Sequence, residues 1–219
     1  MKSIALSLAI LAALTLSPTS QAHEGHDHSA GNAGTAPDCI SGKHAATQAA
    51  LRDLWVEHVF WIRNYVVASK EGNQIEKKVA IEQVLANATS ISGAIASFYG
   101  KPAGDQMLTL LAGHWGAVKA YSDATFDHGG KGQPQAAARL TANAKEIAAF
   151  LAKANPNLPE SNLIGLLSAH GAHHIAQIQQ LSKGDFAAEA KTWAAMRGHM
   201  FVIADVLTDG LAKQFPAKF

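Results

Sequence analysis

The stretch LWVEHVFWIRNY at residues 54–65 determines the fold class. Its large apolar side chains recur at intervals of three and four residues, which places them on one face of a helix. Further segments along the chain carry the same pattern, and short connectors rich in glycine or proline separate them. Short connectors between long helices favour antiparallel neighbours. We therefore predict an all-α fold, an antiparallel helical bundle of about six helices with a four-helix-bundle-like core.

The connectors set the expected bounds of the helices. The first helix stops at a glycine, Gly72, and the fourth stops at the proline-containing segment 155–159. We expect helices at approximately residues 44–69, 74–98, 103–125, 135–154, 160–181 and 186–212. No segment shows the two-residue alternation typical of a strand. No repeat is strong enough to divide the helices into two related halves.

The start of the chain has the pattern of an export signal. Lys2 precedes an apolar run at residues 4–16, and residues 20–22 (Ser-Gln-Ala) form a small-x-small cleavage pattern. We predict a signal peptide at residues 1–22, cleaved after Ala22, and a periplasmic or secreted mature protein. No later stretch of the sequence is long and apolar enough to span a membrane.

A polar segment at residues 23–43 follows, rich in His, Gly, Ala, Ser and Asp. Such a composition cannot bury enough apolar surface to offset the entropy of ordering, so we predict a disordered tail. The helical bundle domain then spans residues 44–219. The single cysteine, Cys39, has no partner for an internal disulfide, so the fold depends on its core. A free thiol, a dimer link and a metal ligand stay open as roles for Cys39.

Charge and motifs narrow the class of function. Without Lys2, 17 basic side chains balance 17 acidic ones, so the mature chain lacks the basic footprint of a nucleic-acid-binding protein. No Gly-x-Ser-x-Gly elbow, phosphate loop or dinucleotide fingerprint occurs, so we do not predict an enzyme. The anomaly in the composition is the number of histidines, which is 11.

Several of these histidines lie on the apolar stripes of the predicted helices. His58, for example, shares a helix face with Trp55 and Ile62. A single histidine on such a stripe is usually a core residue bonded to a carbonyl or a tyrosine, but four helices with one each favour a shared site. The candidate ligands inside the bundle are His58, His114, His170, His174 and His199. His173 falls just off the stripe, and its role stays open.

A metal ion is the group that would satisfy several buried imidazoles together. The chain has no cysteine cluster for structural zinc or iron–sulfur chemistry, and its stripes lack the Glu-x-x-His pairs of a di-iron site. Thioether next to imidazole suits copper, and Met196 and Met200 bracket His199, although methionines at this spacing are often core filler. Copper is therefore the first expectation, with zinc or nickel next. A noncovalent bis-histidine haem is the alternative.

The tail offers a second set of ligands. The mature end HEGHDH would combine a free amine, two carboxylates and the imidazoles of His23, His26 and His28. Such a tract can wrap Cu(II), Ni(II) or Zn(II) without a fold, so we predict these three histidines as further metal ligands. A solvated tail that binds metal only adventitiously is the competing interpretation. His44 and His128 are expected at the surface.

Several segments, spread over most of the helical domain, carry a resemblance to a known family. They include LWVEHVFWIRNY, LLAGH at residues 110–114, and a C-terminal segment in which His199 precedes Ala-Asp and Gln-Phe-Pro. They resemble a family of small exported bacterial all-helical proteins without an established function. The resemblance implies a helical fold over residues 51–219, and it implies that recurrent histidine positions of the family are occupied by His58, His114, His170 and His199. This chain departs from the family at Ile62, where threonine is usual, and at the His173-His174 pair.

Together these features predict a periplasmic metal-ion-binding protein that acts in storage, chaperoning, sensing or resistance. In this hypothesis the tail captures the ion and the bundle histidines hold it. One alternative is a haem-binding or redox bundle. Another is a helical interaction protein whose histidines are structural or respond to pH.

Overall fold

The computed structural model describes residues 41–219, which form six α-helices and a short 3₁₀ helix. The helices are α1 (Gly42–Glu71), α2 (Gln74–Tyr99), α3 (Lys101–Phe126), α4 (Gln133–Ala154), α5 (Glu160–Lys183) and α6 (Phe186–Gln214), and the 3₁₀ helix spans Pro216–Lys218. The predicted all-α class and number of helices are confirmed, and no strand occurs in the described residues. The predicted signal peptide and the predicted tail up to residue 40 lie outside the described residues. Among the described helices, none has the length and hydropathy needed to cross a bilayer.

Local sequence determines where these helices begin and end. The Ser41 hydroxyl caps α1 by accepting the backbone N–H of His44 at 3.0 Å, so α1 starts at Gly42 and takes in the last two residues of the predicted tail. Gly72 ends α1 in the left-handed conformation, with a φ of 68°, which glycine adopts at little cost. The side chain of Asn73 then caps α2. Every helix bound lies within two residues of the predicted one.

The six helices close into a ring. Each helix packs against the next along the chain, and α6 packs back against α1. The odd-numbered helices α1, α3 and α5 also contact one another, so they form the centre of the bundle, and α2, α4 and α6 lie outside them. Because consecutive helices are antiparallel, the three central helices run in the same direction.

The apolar stripes meet in two clusters along the central helices. The larger cluster includes Trp55, Leu111 and Leu167, and the smaller one includes Ile62 and Val118. On each central helix the residues of the two clusters occupy successive turns, and the histidines singled out from the sequence fall between them. The fold therefore places a polar layer inside the core, between two apolar ones.

A buried carboxylate ties three helices together beside this core. The guanidinium of Arg63 on α1 donates to both carboxylate oxygens of Glu189 on α6, at 2.6 and 2.9 Å. Gln177 on α5 donates to the same carboxylate at 2.8 Å. Because Glu189 is buried and its pairing with Arg63 uses two hydrogen bonds, the contact fixes the register of α1, α5 and α6.

Gly104 lies where α2 and α3 approach closely. A Cβ at this position would lie 2.8 Å from the Cβ of Ala96, and the Gly104 carbonyl accepts a hydrogen bond from the Ser92 hydroxyl at 2.6 Å. We expect Gly104→Ala to lower the free energy of unfolding by about 1–3 kcal/mol, because the helices must separate to admit the methyl group. Urea unfolding followed by circular dichroism measures the change.

The matched control is Gly116→Ala on the exposed side of α3, where a Cβ would meet nothing within 4 Å. There we expect the free energy of unfolding to rise by up to about 1 kcal/mol, because alanine favours the helix over glycine. Equal effects of the two substitutions would contradict the close packing of α2 on α3.

Candidate metal centre

The three central helices bring four histidines together. His58 comes from α1, His114 from α3, and His170 and His174 from successive turns of α5. Each histidine offers one ring nitrogen, and these four nitrogens lie within 4.8 Å of one another. The predicted convergence of imidazoles from different helices is therefore confirmed for these four residues, which we call the histidine layer.

The histidine layer is almost completely buried. The exposed fractions of His58, His114, His170 and His174 are 2%, 5%, 3% and 1%. The ring centroids of neighbouring members lie between 4.5 and 6.2 Å apart, so the imidazoles contact one another directly. Four polar rings thus share one apolar environment.

Several ring nitrogens of the layer have no partner among residues 41–219. Both nitrogens of His58, Nε2 of His114 and Nδ1 of His170 are buried without a hydrogen bond. Within the layer, Nε2 of His170 and Nε2 of His174 lie 3.2 Å apart, at hydrogen-bonding distance. Buried polar atoms in proteins are normally paired, and an unpaired one costs about 1–3 kcal/mol. An ion bound to the free lone pairs would satisfy these atoms together.

Burial keeps the four imidazoles neutral. Desolvation lowers the pKa of His58 to about 3 and the pKa of His114 to about 4. It also lowers the pKa values of His170 and His174 well below the ordinary value of 6.5. A neutral imidazole has the free lone pair that a metal ion requires, so the layer is in its ligating form at neutral pH.

Two asparagines on the outer helices anchor the backbone beside the layer. Asn87 on α2 donates to the carbonyl oxygen of Leu54, one turn before His58, at 3.0 Å. Asn143 on α4 makes the corresponding bond one turn before His114, also at 3.0 Å. The Oδ1 atom of each asparagine is buried and accepts no hydrogen bond. Each amide lies near its histidine and opposes part of the lowering of that histidine's pKa. If the histidine turned one ring N–H towards Oδ1, its other ring nitrogen would be available to an ion.

The sequence interpretation missed these asparagines because it considered only side chains that ligate a metal ion directly. A signal was present in the recurrent pattern Asn-Ala-x-x-Ile at residues 87–91 and 143–147. Both asparagines are buried, and a buried amide in a helix interior is a polar group that needs a nearby partner.

His199 does not belong to the histidine layer. It lies half-buried on α6, an outer helix, and its Nε2 donates to the carbonyl oxygen of Leu166 at 2.8 Å. Its ring packs against His173, with the two centroids 5.5 Å apart. Of the five histidines predicted as bundle ligands, the structure thus brings four together on three helices and places His199 outside the group.

The other histidines lie away from the layer or outside the described residues. The tail histidines His23, His26 and His28 are among the residues that the structure does not describe. His44, expected at the surface, is partly buried, and its Nε2 lies 3.0 Å from a carboxylate oxygen of Asp209. His128 is exposed, as expected.

The donor set of the layer is imidazole alone. Within the described residues, no cysteine or carboxylate is part of the group. A small apolar pocket adjoins three of its members, His58, His114 and His170, and its other walls are Trp55, Leu111, Ala144, Ile147 and Leu167. Met196 and Met200, which suggested copper, are fully buried in the larger apolar cluster. The chemistry of the site is therefore that of neutral nitrogen ligands in an apolar setting.

Comparisons of the chain with family models, with curated proteins and with solved structures found no match. The resemblance carried by LWVEHVFWIRNY and the C-terminal segment therefore stays a hypothesis. The geometry of the histidine layer is the main support for a function.

Burial of neutral imidazoles predicts that the stability of the metal-free protein depends on pH. The unfolded chain takes up protons below the ordinary histidine pKa of 6.5, whereas folding keeps His58 and His114 neutral down to about pH 4. The free energy of unfolding should thus be highest above pH 6.5 and fall below it, by about 1.4 kcal/mol per pH unit for each such imidazole. Urea unfolding in EDTA at pH 7.5 and pH 5.5 measures this loss.

Two variants distinguish the contribution of the layer to this pH dependence from that of other histidines. His58→Leu removes one buried imidazole and should reduce the pH dependence by the contribution of one proton. His128→Gln removes an exposed histidine and should leave it unchanged. Equal stability of the unsubstituted chain at the two pH values would show that the layer is not buried in neutral form.

Proposed function

We propose that this chain is an exported metal-ion-binding protein that holds one late first-row transition-metal ion inside its helical bundle. The observation that carries the proposal is the group of four buried ring nitrogens, from His58, His114, His170 and His174, within 4.8 Å of one another. Imidazole is the commonest metal ligand, and bundle cores are where metal sites form from facing helices. The export signal and the periplasmic location are supported by the sequence of residues 1–22.

The all-nitrogen donor set narrows the identity of the ion. Magnesium and calcium prefer oxygen ligands, whereas copper, zinc and nickel bind imidazole. Copper binds a given nitrogen site most tightly among these divalent ions, and a tetrahedral arrangement suits zinc. We therefore propose copper or zinc as the ion held in the bundle, in a storage, chaperone, sensing or resistance role.

The N-terminal tail has a separate part in this proposal. His23, His26 and His28 lie beside two carboxylates and the predicted new amino terminus, so they can capture an ion in a flexible chelate. The bundle then holds the ion on fixed ligands. Capture and retention would thus use two different sets of histidines.

The packing of the histidine layer favours a bare ion over haem. The four ring centroids lie only 4.5–6.2 Å apart. A macrocycle between any two of these rings would displace the other two and the apolar side chains around them. The geometry therefore supports ligation of an ion by all the rings rather than axial ligation of haem by two of them.

Metal binding to the bundle can be measured apart from the tail. The experiment uses the chain from residue 23 without an affinity tag and with His23→Ser, His26→Ser and His28→Ser. We expect calorimetric titration to show one bound equivalent of copper or zinc. At a free ion concentration of about 100 times the Kd, the melting temperature should rise by about 5–10 °C, because the ion binds only the folded layer.

Two further substitutions locate the site. His114→Gln removes a member of the layer and should weaken binding of the ion by more than about 100-fold. This loss is larger than the one usually caused by changing a residue that only hydrogen-bonds to a metal ligand. His199→Gln is the matched control, because it removes a bundle histidine outside the layer and keeps a side chain that can donate to the Leu166 carbonyl, so this variant should bind the ion nearly as tightly as the parent chain. A parent chain that binds no ion, or a His114→Gln variant that binds it unchanged, would refute the bundle site. A haem absorption band in the purified protein would establish the haem alternative.

A further inference from the structure

The chain contains a threefold repeat with a period of 56 residues. Each unit is one helical hairpin, formed by α1 and α2, by α3 and α4, or by α5 and α6. Each central helix carries the pattern Leu-x-x-x-His, at residues 54–58, 110–114 and 166–170. Each outer helix carries a buried isoleucine at the same interval, and these are Ile91, Ile147 and Ile203. The repeat is in three parts, so a division into two halves does not reveal it.

The hydrogen bonds repeat together with the sequence. Asn87, Asn143 and His199 occupy equivalent positions on the three outer helices. Each donates to the carbonyl oxygen 33 residues earlier, one turn before the histidine of its own hairpin, at 3.0, 3.0 and 2.8 Å respectively. The three hairpins are therefore equivalent in structure as well as in sequence. His199 is therefore the counterpart of the two asparagines, and it anchors the backbone one turn before His170.

The three equivalent histidines form a nearly equilateral triangle. The ring centroids of His58 and His114 lie 5.6 Å apart, those of His58 and His170 lie 5.7 Å apart, and those of His114 and His170 lie 5.2 Å apart. Towards the start of the central helices, the equivalent side chains of Trp55, Leu111 and Leu167 line the apolar pocket beside this triangle. These three side chains are apolar and cannot ligate a metal ion.

His174 breaks the threefold repeat. Its counterparts in the first two hairpins are Ile62 and Val118, two aliphatic side chains with no exposed surface. Its ring centroid lies 4.5, 5.6 and 6.2 Å from those of His170, His114 and His58. Because it lies one turn after His170, it caps the triangle on the side away from the apolar pocket.

We propose that His174 closes the coordination sphere of the bound ion, converting a three-histidine site with one open position into a four-histidine tetrahedral site. This inference rests on the proposed function. Tetrahedral bonds of about 2.0–2.1 Å require ligand nitrogens about 3.3 Å apart. The 3.2 Å between Nε2 of His170 and Nε2 of His174 already meets that spacing. Rotation of the other rings brings the remaining nitrogens, within 4.8 Å of one another, towards it.

The closed sphere determines what the protein can do with its ion. Catalytic zinc-type sites keep one position for water or substrate, whereas structural sites fill all four with protein ligands. A fourth histidine in place of the aliphatic residue of the other two hairpins removes that position. The site is therefore one for holding an ion, and it does not present the ion to a substrate.

Cobalt(II) and azide test this assignment, since the visible bands of cobalt(II) report a change of ligand. The experiment uses the chain from residue 23 with the three tail substitutions, loaded with one equivalent of cobalt(II). We expect azide to leave the visible bands of this protein unchanged. In His174→Ala the open position should accept azide and the bands should shift. His173→Ala, which changes the neighbouring histidine outside the layer, should behave like the parent chain.

A ligand count on the parent chain keeps the test independent of the variants. X-ray absorption of its zinc form should show four imidazoles, and three imidazoles with an oxygen would overturn the assignment. Azide-sensitive cobalt in the parent chain, or an unchanged azide response in a cobalt-bound His174→Ala, would also overturn it. Loss of cobalt binding in that variant would support His174 as a ligand. If circular dichroism shows that the alanine variant does not fold, the experiment uses His174→Val instead, because valine occupies the equivalent position 118 in the second hairpin.

These outcomes distinguish the two proposals. A parent chain whose bundle binds neither cobalt, copper nor zinc would end the proposed function and this inference together. A parent chain that binds one ion but also binds azide would end only the inference about His174, and the metal-binding function would stand.

Discussion

Four neutral imidazoles buried between two apolar clusters are the constraint on which the rest of this structure depends. Their nitrogens are kept from bulk water, so the protein must either provide partners for them or carry the energy of leaving them unpaired. The two buried asparagines supply a free amide oxygen each, beside His58 and His114. One ring nitrogen of each histidine lies within 4.8 Å of those of the other three, and this arrangement could hold a metal ion.

The closed ring of helices holds the layer at a single level of the bundle. One loop joins the two helices of every contact in the ring except the contact between α1 and α6, where the first and last helices meet. That contact carries two ion pairs, between Arg63 and Glu189 and between Arg52 and Asp205, and a hydrogen bond between His44 and Asp209. Arg52 and Asp205 are partly exposed, so their pair adds little free energy, but the spacing of the three contacts permits only one register of α6 along α1. The pair of Arg63 and Glu189 uses two hydrogen bonds, as does that of Arg52 and Asp205, but Glu189 is the most buried of the carboxylates, so its pair is the least screened by water.

The helices and most of the layer could be predicted from the sequence because both depend on local periodicity. Stops such as Gly72 place the helix ends, and apolar stripes identify His58, His114, His170 and His174. His199 shows the limit, since its stripe is as apolar as the others, and only tertiary packing decides that α6 lies outside the centre. The asparagines act through carbonyl groups 33 residues away, a relation that local periodicity does not contain. The 56-residue repeat spans two helices and rests on few identical residues, so the periodicity within a single helix does not reveal it.

The depth of the histidine layer has a consequence for the speed of exchange. With exposed fractions of 5% or less, its four side chains are reached only when neighbouring helices separate for a moment. The rate at which an ion held there would enter or leave is then set by the opening of the bundle, and the chemistry of ligand substitution would be secondary. The contact between α1 and α6, which no loop closes, is where the ring opens with the least restraint from the chain. The residence time of an ion held there would thereby be a property of the helical ring, adjustable by the ion pairs along that contact without any change to the ligands.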